Sequence, residues 1–247
     1  MRLGAREQGA GLALLAAAWL SGCGFGQHLE GSGHSIEESR TMPVFDRLDV
    51  EDGIPAHVQV DPTRPHSVLL VGDDNLIARM RTDHDGDRLR VHFGGHDSVS
   101  WDSPNPLRVE VVVPSLEALE RSGGGRMDVS GGVDANHFTV SVSGGGAVLV
   151  HGLRAESVAL SLSGGAYALL EGEARQVRMD LSGGSEVYAG ELASREAQLE
   201  SSGGGAASLR VSETLRVSAS GGSHVRILGR PEVLERDLSG GSTLTFE

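Results

Sequence analysis

Ser143-Gly144-Gly145, Ser163-Gly164-Gly165 and Ser182-Gly183-Gly184 are three instances of a repeat that also returns at Ser122, Ser202, Ser220 and Ser239. Successive serines stand 21, 20, 19, 20, 18 and 19 residues apart. A period in this range marks a solenoid, in which each unit buries its apolar face only against the units beside it.

Counted from each serine, the odd offsets are apolar or small. Offsets −5, −3 and −1 read Phe138, Val140, Val142, then Val158, Leu160, Leu162, then Val177, Met179, Leu181. Offsets +5 and +7 read Val148 and Val150, Ala168 and Leu170, Val187 and Ala189, with the same pattern in later copies. This is period two, so each repeat carries one strand before the glycines and another after them. The +1 position is always Gly and the +3 position only Gly, Ala or Ser. Invariantly small inward positions predict a tight corner where stacked coils leave no room for a side chain. Even offsets are polar, as in Thr139, Ser141, Arg178, Asp180, Gln198 and Glu200, and face outward. A flexible Gly/Ser linker would not keep alternating hydrophobics on both sides. The expectation is therefore an all-β chain, a parallel β-helix (β-solenoid) with coils of about 18–21 residues. An antiparallel sandwich of Gly-rich hairpins is the competing arrangement.

Residues 1–22 read as a processing signal, with Arg2 and Arg6 at the start and the apolar run Leu12–Leu20 in the centre. That run is too short to span a bilayer. Leu20-Ser21-Gly22-Cys23 resembles a bacterial lipobox, which implies cleavage before Cys23 and its acylation, as by palmitate. Cys23 is the sole cysteine, so it has no intramolecular disulfide partner. Gly24 stands where inner-membrane retention would usually show Asp, and resemblance to sorted lipoproteins makes the outer membrane the expected address. The leaflet that the head faces is left open.

Residues 23–42, with Cys23 at their start, are glycine-rich, polar and without hydrophobic period, and are expected to form a flexible tether. His28 and His34 fall in it and are weak grounds for a metal site. Residues 43–247 are expected to form a single head, with irregular coils over 43–114 and regular ones over 115–247. In the irregular part, Val58 and Val60, Leu89, Val91 and Phe93, and Leu107, Val109, Val111 and Val113 alternate, with turns at Gly72–Asn75, Asp85–Asp87 and Ser103–Pro106. Only 75–82 (NLIARMRT) reads as a short helix.

Pro43-Val44-Phe45-Asp46-Arg47-Leu48, Gly72-Asp73-Asp74-Asn75-Leu76, Asp87-Arg88-Leu89-Arg90-Val91, Val111–Glu117 and the Ser-Gly-Gly series together resemble the family of auto-transporter adhesin head GIN domains. The resemblance covers about Pro43 to Glu247. It implies a right-handed, single-stranded β-helix, often carried on envelope lipoproteins. It implies no activity and transfers no functional residues, because the shared motifs are those that build the coil.

The formal net charge is −13, which argues against nucleic acid and against bare anionic lipid as partners. The sequence contains no lysine, which excludes a phosphate-loop lysine, a Ser-x-x-Lys nucleophile and Schiff-base chemistry. No cofactor is expected.

Two groups of outward residues are candidates for function. Asp180 and Glu200 share offset −2 in successive coils, so stacking would bring like charges together. A divalent cation could neutralise them, but Arg178 on the same face supplies a simpler counter-charge. The same pair could be imagined as glycosidase carboxylates, though an exposed solenoid face offers little desolvation. Leu149, Tyr167, Leu169, Tyr188, His224 and Arg226, at offsets +4 and +6, could form a binding strip for a polysaccharide or a protein. Cover by 43–114 or by a neighbouring subunit is the plainer explanation of that strip. Asp83-His84-Asp85-Gly86-Asp87 begins like a calcium loop but has Gly94 where the twelfth-position Glu belongs, and reads as a polar turn. The expectation is a non-enzymatic outer-membrane lipoprotein displaying a binding or adhesion-like module. The alternatives are an envelope scaffold and a polysaccharide-degrading enzyme.

Overall fold

The computed structural model describes residues 27–94 and 99–247. The expected signal, Cys23 and Gly24 lie outside the described residues. The long strands Ala147–Leu162, Tyr167–Gly183, Glu186–Gly203 and Ala206–Ser220 each pair in parallel with the next. Together with the shorter strands on either side they form a β-solenoid of about six turns. Parallel pairing in sequence order removes the antiparallel sandwich.

In-register stacking turns the period-two pattern into continuous apolar columns. Val140 lies opposite Leu160, Leu160 opposite Met179, Met179 opposite Leu199 and Leu199 opposite Val217. All five are buried. At the five corners from Ser143 to Ser220 the residue three after the serine is also buried, and where it is serine its hydroxyl is bonded. Ser185 Oγ donates to Ser182 O at 2.7 Å, and Ser223 Oγ donates to Ser220 O at 3.0 Å.

The +1 glycine does not face the core as the alternation implied; it is exposed to solvent on one side and meets the preceding coil on the other. At Gly164, φ is +79° and a Cβ would stand 2.7 Å from the carbonyl oxygen of Gly144. That same oxygen accepts the N–H of Gly165 at 2.8 Å. The corner thus needs both a left-handed backbone and the absence of a side chain. Gly165, one residue on, has nothing within 4 Å of its would-be Cβ. A further Ser-Gly-Gly at Ser130–Gly132 stands outside the series because it lies at a different corner, where Gly131 is paired with Val60 of the coil below.

Residues 43–114 are not a run of coils in chain order. Arg47–Val50 and Ala56–Val60 make one regular coil, in parallel register with Ala118–Arg121 and Arg126–Gly131 above it. On its other side lie Arg88–Phe93 and Arg108–Val113. The chain then covers that end with antiparallel strands, Met80–Asp85 against Arg88–Phe93, Ser67–Asp73 against Arg108–Val113, and Ser35–Arg40 against Ser67–Asp73. Antiparallel strands end the parallel stack at this edge. The helix expected over 75–82 is a single turn, Asp74–Ile77, followed by the strand from Met80. Leu76, Ile77 and Met80 are fully buried and plug the end of the core.

The stretch expected as a flexible tether is ordered structure from Gln27 to Arg40. Gln27–Glu30 pairs with Val99–Asp102, and Ser35–Arg40 is the outermost strand of the cap. Polar bonding holds it where apolar patterning is absent. Buried Asp73 accepts from Gly33 N at 3.1 Å, Ser103 Oγ at 2.8 Å and Asn105 Nδ2 at 2.6 Å. Asn75 Nδ2 donates to Glu30 O at 2.7 Å.

The other end closes differently. Glu232–Leu238 and Thr243–Phe246 pair on one side only. Arg236 lies opposite Val217, in the column that is apolar in every other coil, and the register shifts between Val233 and Glu235. An inward-register charge and a bulge are devices that blunt an open edge.

Gly164→Ala is expected to destabilise the protein by about 2 kcal/mol or more, because it adds left-handed strain to a backbone clash. Gly165→Ala is expected to stay within about 0.5 kcal/mol of the parent. Urea melts of the two variants check this; equal losses would contradict the corner geometry.

Candidate functional site: two outward faces of the solenoid

The strip expected at offsets +4 and +6 is assembled only in part. Leu149, Leu169, Tyr188, Ser208 and Arg226 do fall in one ladder, as do Tyr167, Glu186, Ala206 and His224. Leu149, however, is buried, flanked by Asp128 and Leu169 in adjacent coils, and does not contribute to a surface. Tyr167 and Leu169 are half-buried. Tyr188 is 47% exposed, and its ring centroid lies 5.4 Å from that of Tyr167 with the planes tilted by 34°. The two rings form one platform, favourable for aromatic pairs at this separation.

Beyond Tyr188 the side chains shrink to Ala206 and Ser208 before His224 and Arg226 rise again. The result is a shallow depression of about 360 Å3 with an aromatic wall on one side and a basic wall on the other. Arg226 Nη2 is 3.3 Å from Glu247 Oε2.

The face on the other side of the Ser-Gly-Gly corner carries the carboxylate pair. Asp180 and Glu200 are direct ladder partners, as stacking requires. Arg178 neutralises both, with Nε 3.2 Å from Asp180 Oδ2 and Nη2 3.0 Å from Glu200 Oε1. Gln198 Nε2 adds a bond to Glu200 Oε1 at 3.0 Å. The two carboxylates, Asp180 foremost, hold the Arg178 guanidinium above its ordinary pKa. The arrangement is an exposed ionic bridge, and the cation alternative loses the electrostatic strain that motivated it.

The acids at 83–87 belong to a hairpin, with Asp85 opposite Arg88 and Gly86 at φ +63°. Among the described residues one group has metal-ligating atoms close together: Glu51, Asp52 and His92. Sequence spacing gives no sign of it, because His92 arrives from a different coil. Its atoms are already engaged: Arg90 grips Glu51 at 2.7 and 2.8 Å, Phe93 N donates to Asp52 Oδ2 at 2.8 Å, and His92 Nε2 lies 2.9 Å from Asp83 Oδ2.

Sequence reasoning also missed a trough along the carboxylate face. Ser122, Ser143, Ser163, Ser182, Ser202 and Ser220 line one side of a groove of about 700 Å3. Ser141, Ser161, Asp180 and Glu200 line it at offset −2, and Asp49, Glu51, Arg88 and Glu120 close one end. The repeat itself was the signal, since serine at offset 0 of every coil must become one column, and the polar residues at offset −2, serine in three coils, a second beside it. Burial pushes the Asp49 carboxyl above its usual range, against the opposing bond from Arg88. Arg121 is buried with no carboxylate partner among the described residues, and burial pushes its guanidinium down to about 10. Its Nη1 donates to Ile54 O at 2.8 Å and its Nη2 to Gly124 O, so it ties two corners together.

With this geometry in hand, comparison with known proteins places the fold. The family described as "Putative auto-transporter adhesin, head GIN domain" matches residues 44–231, and the chain belongs to it. Among solved structures, a putative adhesin from Bacteroides fragilis is 18% identical with a TM-score of 0.77, covering 88% of this chain and 98% of that one. A putative lipid binding protein from Parabacteroides distasonis is 14% identical with a TM-score of 0.75, over 90% of this chain and 100% of its own. A putative adhesin from Parabacteroides merdae is 18% identical with a TM-score of 0.70, covering 90% and 99%. These likenesses establish a shared fold. No curated protein matches.

Arg178→Ala is expected to lower the melting temperature slightly at low salt, by leaving Asp180 and Glu200 face to face, and to lose that effect at high salt. Melts across a salt series check it; a salt-independent loss would mean that the bridge is not the relevant interaction.

Proposed function

We propose that this chain is a non-enzymatic lipoprotein of the outer membrane, anchored through Cys23, whose solenoid head faces outward and binds an extended polymer. The observation that carries the reading is the Tyr167–Tyr188 platform. An aromatic surface standing proud of a repetitive rod, beside a small-residue depression and His224 and Arg226, suits a sugar chain or an extended protein segment. Membership in a family described as adhesin-like supports it. The mechanism is display, in which a stiff surface offers many weak contacts that add through multivalency.

A scaffold built by joining rods end to end has less support. One end is covered by antiparallel strands, and the other carries Arg236 in its apolar column. Catalysis by Asp180 and Glu200 is not supported either, since both are exposed and share Arg178.

Two measurements test the proposal. Cys23→Ser is expected to abolish labelling by a clickable fatty acid in cells, and unchanged labelling would sink the anchor. On an array of envelope and extracellular polymers, the purified head is expected to retain at least one polymer and Tyr188→Ala to weaken that retention about tenfold. Retention indifferent to Tyr188 would remove the strip from the account.

A further inference from the structure

The serine-lined groove has properties that the tyrosine face lacks. Its length is set by the stack: from Ser122 to Ser220 it crosses five coil spacings, about 24 Å at about 4.8 Å each. Its volume, about 700 Å3, lies within the range of sites that hold organic ligands. Among the described residues, the hydroxyls of Ser141, Ser143, Ser161 and Ser163 make no protein hydrogen bond, so four donor–acceptor groups stand ready on two adjacent coils.

The closed end adds a largely buried acceptor that a sugar hydroxyl could reach. The Asp49 side chain is only 6% exposed and lines the groove. Its Oδ2 takes Arg88 Nη2 at 2.7 Å, while Oδ1 accepts no hydrogen bond from any described residue. Oδ1 is not sealed from solvent, so a donor in the groove, water or a ligand hydroxyl, can reach it and offset the cost of burying the carboxylate.

Charge decides the class of donor. Every carboxylate in the groove has an arginine beside it: Asp49 and Glu120 share Arg88, Glu51 holds Arg90, and Asp180 and Glu200 share Arg178. With the buried Arg121, which also lines the groove, four arginines stand against five carboxylates, so a polycation finds little uncompensated charge to neutralise. A polyanion meets those same carboxylates on a chain whose net charge is −13. Between the two ionic clusters the lining is neutral and hydroxylic. We infer that this groove binds one strand of an uncharged, hydroxyl-rich glycan lengthwise, with serine hydroxyls bonding successive sugars and Asp49 Oδ1 accepting a sugar hydroxyl at the closed end.

The inference deepens the polymer-binding reading and rests on it, but the site is on a different face from Tyr188. The test is titration calorimetry of the purified head with linear neutral oligosaccharides of gluco, manno and galacto configuration and increasing length. At least one series should bind, more tightly as the chain lengthens until the groove is filled, with little change between about 0.05 and 0.5 M NaCl. Ser161→Ala/Ser163→Ala should weaken that binding about tenfold or more, Ser161→Thr/Ser163→Thr should restore it, and Tyr188→Ala should leave it unchanged. Unaltered melting of the alanine variant shows that the fold is intact.

Absence of saturable binding to all three series, or equal binding by the alanine variant, overturns the groove. If an array polymer is still held through Tyr188 in either case, the polymer-binding reading stands and the groove alone falls. Retention only of a cationic polymer, lost with salt, also overturns it.

Discussion

Backbone packed on backbone at the Ser-Gly-Gly corner is the constraint on which the rest of this molecule depends. The carbonyl oxygen of Gly144 must reach the N–H of Gly165 at 2.8 Å, and only a glycine at 164 keeps that path open. Because the corners stack at strand spacing, every coil must repeat in register. The apolar columns then close the core, and the outward columns become straight lines of like residues along the rod. The tyrosine platform, the Arg178 bridge and the serine groove are all consequences of that alignment.

A stack of parallel coils must be stopped at both ends, and this chain uses two different devices. At one end it folds back antiparallel strands and plugs the core with Leu76, Ile77 and Met80. At the other it places Arg236 where Val140, Leu160, Met179, Leu199 and Val217 stand in earlier coils. Both favour a rod that displays its sides over one that grows from its ends.

Much of this was legible from residues alone, because periodicity is a local property. The strands on both sides of Ser143 or Ser163, the tight corner, and the ladder contact of Asp180 with Glu200 follow from counting offsets. So does Arg178 as their counter-charge. What counting does not reveal is order in space. Arg47–Val60 belongs to a regular coil, yet its neighbours come from 88–113 and 118–131, a non-local arrangement with no periodic signature. The strands within 27–40 were missed because polar bonds to Asp73 and Asn75 hold them rather than alternating hydrophobics. Leu149 was misplaced because parity gives the face of a strand but not how far its neighbours cover it. The serine groove was written in the repeat, but concavity and the half-paired Asp49 require the assembled coils.

The proposed role is display, in which the two outward faces on either side of one glycine corner would meet polymer from an anchored position in the envelope. Shaving intact cells with protease, followed by probing for the head in the medium and on the cells, tests this most directly. The account predicts that the head is released from intact cells. Protection until the outer membrane is permeabilised would place the head toward the periplasm and contradict outward display.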